Sequence, residues 1–168
     1  GLPGGAALCD DRRSGRHSVA TQANDTEGAL TLSGELEVGD SHTLSLITGY
    51  RNWRNRELRE GDFLPRAIVG TPQLHDEGLV TTEQMSAELR LASDASQPFF
   101  YQVGAFVWHS QNQQNFRRET ISCASSTLAA LPGGAVPCDT TNTTTTIFGT
   151  GQSFSDVNST NLALFGQA

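Results

Sequence analysis

At 168 residues the chain could form one domain of ordinary size, yet only 36% of it is hydrophobic, and Gly, Thr, Ser, Asn and Gln abound. The formal charge of −7 comes without a Lys/Arg cluster that would neutralise phosphates, which argues against nucleic-acid binding. No apolar run approaches the ~18–20 residues of a membrane-spanning helix, although a barrel strand needs only an alternating segment of ~10 residues.

Apolar residues recur with period two in five segments. Across Ala29–Val38, Leu30, Leu32, Leu36 and Val38 share one face, against Thr31, Ser33, Glu35 and Glu37. A second segment runs from about His42 past Tyr50, with Leu44, Leu46, Thr48 and Tyr50 opposite Ser45, Ile47, Gly49 and Arg51. A third, Thr82–Ala92, sets Met85, Ala87, Leu89 and Leu91 against Gln84, Ser86, Glu88 and Arg90. In a fourth, from Phe99 to about Gln111, Tyr101, Val103, Ala105 and Val107 share a side, while Phe106 and Trp108 blur the other. A fifth begins near Thr160. Spacing of two, with many Thr, Ser and Gly, excludes helices for most of this.

Gly39-Asp40-Ser41 and Asp94-Ala95-Ser96-Gln97-Pro98 read as short turns. Long connections are expected at about 1–28, 59–81 and 113–157, lengths uncommon in a compact soluble domain. Short turns alternating with long loops is the build of an outer-membrane barrel, with its long loops extracellular. Placing Val38 opposite His42, and Leu91 on the same face as Tyr101, keeps the leucines together; a slip by one would put Glu35 and Glu37 among them.

The run Thr43-Leu44-Ser45-Leu46-Ile47-Thr48-Gly49-Tyr50-Arg51-Asn52-Trp53 resembles a barrel segment of TonB-dependent receptors. Gly61-Asp62-Phe63, the stretch from Gln84 to Ser93, the stretch from Tyr101 to Phe106 and the stretch from Leu162 to Ala168 follow in the same order. The resemblance spans roughly 29–110 and 155–168. It implies an all-β fold, an antiparallel up-and-down sheet forming part of a transmembrane barrel with long extracellular loops. It also implies the outer membrane of a Gram-negative bacterium as the location and TonB-dependent uptake of a scarce ligand as the function. The expected partners are outer-membrane lipid, the rest of the barrel and its plug, TonB through a preceding region, and a small ligand such as a siderophore, cobalamin or saccharide. Neither plug nor coupling motif occurs in 1–168, and the run at 162–168 lacks the family's aromatic-ended closing strand. With no export signal at Gly1-Leu2-Pro3 and an apolar run at the other end, the chain reads as a fragment of one barrel domain.

Several residues invite a role. Tyr50, Trp53, Tyr101 and Trp108 fall toward strand ends; seven residues at about 3.3 Å, tilted about 45°, separate Tyr101 from Trp108 vertically by roughly 16 Å, which suits two interfacial aromatic girdles. Glu35, Arg51, Glu88 and Arg90 are expected on the lumen face as a mutually paired, hydrated lining rather than a ligand-steering wall. His17, His42, His75 and His109 lack metal-ligand spacing, no nucleophile or phosphate-loop motif is present, and neither an enzyme nor a cofactor is expected.

Cys123 and Cys138 enclose 14 residues within the longest expected loop, and an extracellular setting favours their oxidation. Leu2–Asp10 matches Leu131–Asp139 at seven of nine positions. Either Cys9 closes a second loop with a cysteine upstream, or the match is chance in Gly/Ala-rich sequence; in both cases Cys9 is expected free within 1–168. Sequons at Asn24, Asn142 and Asn158 keep an alternative open, a secreted soluble all-β binding module stapled by the disulfide.

Overall fold

A computed structural model describes residues 18–168. Five strands form one sheet in the order β1-β2-β3-β4-β5: β1 Gln22–Val38, β2 His42–Glu60, β3 Gln73–Ser93, β4 Gln102–Cys123 and β5 Thr146–Gln167. The sheet is antiparallel and up-and-down, and it is not closed, so β1 and β5 are its edges. Among the described residues no helix is long and apolar enough to cross a membrane.

Every strand extends beyond its apolar alternation, to between 17 and 22 residues. The connections shorten accordingly: 61–72 joins β2 to β3 and 124–145 joins β4 to β5, where 59–81 and 113–157 were expected. The first expected loop, 1–28, gives way to β1 from Gln22, and its residues 1–17 lie outside those described. The cause is visible in the side chains. Past the leucines the ladder continues with polar cross-strand pairs such as Arg56–Glu77 and Arg118–Asp76, which carry no period-two hydrophobic signal.

Two compact units divide the chain. One comprises Asp25–Asn55, Val80–Gln114 and Ser155–Ala168, and contains both short connections. Here Glu35 accepts from Ser45 at 3.4 Å, Asn55 donates to Asp25 at 2.9 Å, Asn112 donates to Thr82 at 2.8 Å and His109 meets Thr160 at 2.9 Å. These contacts fix the register of β1–β2, β3–β4 and β4–β5, with Val38 opposite His42. Gly39, at φ 66°, takes the left-handed turn between them, a conformation that glycine adopts without steric cost. The second turn is built by Asp94, whose side chain accepts from the Ser96 amide at 2.8 Å, and its own amide donates to the Ser41 carbonyl at 2.7 Å.

That register places Leu30, Leu32, Leu36, Leu46, Met85, Leu89, Val103, Val107, Leu162 and Leu164 on one face, all exposed. None of the buried hydrophobic residues belongs to this unit.

The other unit takes in Arg56–Leu79, Asn115–Phe154 and the segment ending at Asn24. It holds the buried apolar residues: Leu64, Ala67, Cys123, Ala135 and Cys138, with Val69 and Ile121 packed against the Ala67–Cys123–Cys138 cluster.

Candidate functional site

In the unit with the short turns, the face opposite the leucines carries the charged and amide side chains, with Ile47, Trp53, Phe106, Trp108 and Phe165 in alternation among them. Glu35, Arg51, Glu88 and Arg90 all lie on it. Arg51 donates to Glu27 at 2.7 Å rather than approaching Glu35, and Glu88 and Arg90 pair along their own strand. Sequence reasoning missed Glu27 because it lay in an expected loop; once β1 is extended to Gln22, it stands diagonally across from Arg51. Both pairs are partly exposed, so solvent screening keeps their contribution to stability small.

The four aromatic candidates divide between the faces. Tyr50 lies on the leucine face at 40% exposure. Tyr101, just before β4, lies on that side too, its hydroxyl 2.9 Å from His42 Nε2 and its ring 6.1 Å from that of Phe99. Trp53 falls between Arg51 and Asn55 in alternation, and Trp108 alternates with Gly104 and Asn112, so both tryptophans occupy the polar face. Positions three or seven apart on a strand point to opposite sides, so Tyr50 and Trp53, like Tyr101 and Trp108, do not share one face.

The leucine face changes character within the same unit. Asn52 donates to Glu83 at 3.2 Å, and Gln111 and Gln113 both donate to Asp156, at 3.1 and 3.0 Å. The apolar band is therefore bounded by hydrogen-bonded polar side chains on one side and by His42, Phe99 and Tyr101 on the other. From Tyr50 to His42 eight residues of strand cover about 26 Å, or roughly 19 Å vertically at a tilt of about 45°.

In the second unit, Cys123 and Cys138 form a disulfide with Cα atoms 5.8 Å apart. Cys123 closes β4 rather than sitting inside a loop, and its carbonyl accepts from Gly70 at 3.1 Å. Cys138 donates to Ala67 at 2.9 Å, and Val69 to Val136 at 2.9 Å, so connections 61–72 and 124–145 are stitched together by backbone. An apolar crevice of about 280 Å³ lies between them, lined by Leu64, Ile68, Val69, Thr71 and Gly134–Val136.

Gly61-Asp62-Phe63 has a structural task in this unit. Asp62 accepts from the Leu64 amide at 2.6 Å and also from that of Leu74, while a β-carbon on Gly61 would lie 2.9 Å from Leu74 Cβ. Asp76 takes both forks of Arg118, at 2.7 Å each, with the Arg118 guanidinium 5.6 Å from the Phe116 ring. The hydroxyl and amide of Thr141 hold the Asp139 carboxyl below the usual carboxylate range.

His42 sits at the start of β2, His75 near the start of β3 and His109 in β4; His17 lies outside the described residues. Among the described residues no three His, Cys, Asp or Glu side chains converge as metal ligands. Cys9 and the first copy of the Leu-Pro-Gly-Gly repeat likewise lie outside them. Compared with protein-family models and with curated proteins, the chain matches none.

Proposed function

We propose that the chain is part of an outer-membrane β-barrel of the TonB-dependent receptor type, and that it serves ligand uptake across that membrane. The observation that carries this reading is the leucine face of the short-turn unit. Ten large apolar side chains are exposed there on a single sheet face, and that unit buries no hydrophobic residue. In water such a face is unfavourable by about 25 cal/mol per Å² of apolar surface, whereas acyl chains solvate it without cost. Polar pairs bound the band on one side and aromatic rings on the other, as headgroup zones would require. The unpaired edges of β1 and β5 are supplied with partners when further strands close the barrel.

On this reading the long connections are extracellular, where a disulfide persists, and the short turns are periplasmic. The polar face lines the lumen and meets a plug, and TonB engages a region outside the described residues. Membrane flotation tests the proposal. Chain refolded with phospholipid vesicles should float with them and resist alkaline and urea washes. Recovery as a soluble monomer with a cooperative melt, never associating with vesicles, would replace it with the secreted, disulfide-stapled module.

A further inference from the structure

The polar face of the short-turn unit is divided by charge. On β1–β3 it carries Asp25, Glu27, Glu35, Glu37 and Glu88 against only Arg51 and Arg90. On β4 and β5, within this unit, the same face carries no charge among the described residues. Instead β4 carries Phe106, Trp108, Ser110, Asn112 and Gln114 in alternation, with Ser110 buried among them. The contact between His109 and Thr160 on the opposite face fixes the register, which sets Asn161 beside Trp108 and Ser159 beside Ser110.

We infer that this uncharged wall around Trp108 binds a neutral polyhydroxylated ligand, an oligosaccharide. The inference rests on the uptake reading above and narrows its ligand. A net excess of three carboxylates opposes anionic ligands, ferric catecholates included, and both guanidinium groups of this face are already paired with carboxylates. A sugar needs what this wall provides. Its axial C–H faces stack on an indole, whose large apolar ring loses little entropy on binding. Its hydroxyls need amides that donate and accept at once. Asn112 spends one N–H on Thr82, 2.8 Å away, which orients the amide and leaves its carbonyl and second N–H for a ligand. Trp53, on the same face of β2, stands two strands from Trp108 and offers a second stacking ring at the spacing of a short oligomer rather than a monosaccharide.

The test uses the whole chain in detergent micelles, titrated by calorimetry with maltohexaose, xylohexaose, a ferric tricatecholate and cyanocobalamin. At least one hexasaccharide should bind saturably and perturb the fluorescence of a Trp53→Phe variant, in which Trp108 is the one remaining indole. Trp108→Ala should weaken that binding about tenfold or more, and Trp108→Tyr should restore most of it, a rescue that separates stacking from misfolding. Binding of the tricatecholate or cobalamin alone, or of no probe, by chain that floats with vesicles would overturn the saccharide inference and leave the uptake reading standing. Saccharide binding by chain that never enters vesicles would overturn the uptake reading instead. Binding by Trp108→Ala equal to the parent would remove the site from this wall.

Discussion

The ring of Phe165 occupies the space above Gly104 that a side chain would fill. A β-carbon built there would lie 2.7 Å from Phe165 Cε2 and 2.9 Å from the Leu89 carbonyl. Ring and glycine therefore lock β4 to β5 at one register. Gly104→Ala should cost about 1–3 kcal/mol, because the carbonyl cannot retreat even if the ring does. Phe165→Ala in the same chain should recover only part of that loss. Urea midpoints of the refolded chain in micelles check both; a Gly104→Ala midpoint equal to the parent would refute the packing.

The two partners of that contact sit in segments whose resemblance was legible in the sequence, Tyr101–Phe106 and Leu162–Ala168, but the contact was not. Alternation from Leu30 to Val38 and from Met85 to Leu91 was enough to place the strands, their order and the two faces, because a one-sided apolar sheet writes its register into period two. Where both faces turn polar that signal stops. Hence Arg118 and Asp76, or Gln113 and Asp156, looked like loop when they are ladder. Glu27 as the partner of Arg51 was hidden for the same reason, and the side on which Trp108 lies became certain only with the Asn112–Thr82 contact.

The leucine face gives a second prediction. Leu89→Arg puts a charge in the middle of the band and should reduce vesicle insertion by about 2–4 kcal/mol. Gln84→Arg, five residues earlier and on the other face, should insert like the parent, within about 0.5 kcal/mol. Equal insertion of the two variants would deny that the leucine face meets lipid.

Asp62 anchors the β2–β3 connection through the amides of Leu64 and Leu74. Asp62→Ala leaves both donors without their charged acceptor and should cost about 1–3 kcal/mol. Hydrogen exchange reads it directly: the Leu64 and Leu74 amides should lose protection together in the variant. Unchanged protection would mean that Asp62 is not what orders 61–72.

A pH effect is expected at Asp139, whose side chain accepts from Thr141 Oγ1 at 2.6 Å and from its amide at 3.0 Å. These bonds favour the ionised form, so the folded value lies below the unfolded one. The stabilisation is present above the ordinary carboxylate range and is lost as pH falls through the lowered folded value. The protection factor of the Thr141 amide, taken against the intrinsic exchange rate at each pH, should fall on acidification in the parent and stay level in Asp139→Asn.

The disulfide makes the last prediction. Cys123 ends β4 and Cys138 lies 15 positions on, with Leu131 and Gly134 closing a turn between them through a 2.9 Å backbone bond. Gly133 and Gly134 hold positive φ, at 99° and 87°, to reverse the chain there. On the chain-entropy account, closing a loop of this length is worth about 3 kcal/mol, so Cys123→Ser with Cys138→Ser should lower the urea midpoint accordingly. Elastase cleavage near Ala129 and Ala130, which are exposed, should leave the denatured chain at full size until a reductant separates the pieces. With three cysteines in the sequence and two of them joined, thiol labelling under denaturing, non-reducing conditions should modify one site, Cys9. A labelled Cys123 or Cys138 in oxidised material, or a peptide joining Cys9 to either, would refute the pairing and with it the staple that closes 124–137 onto the end of β4.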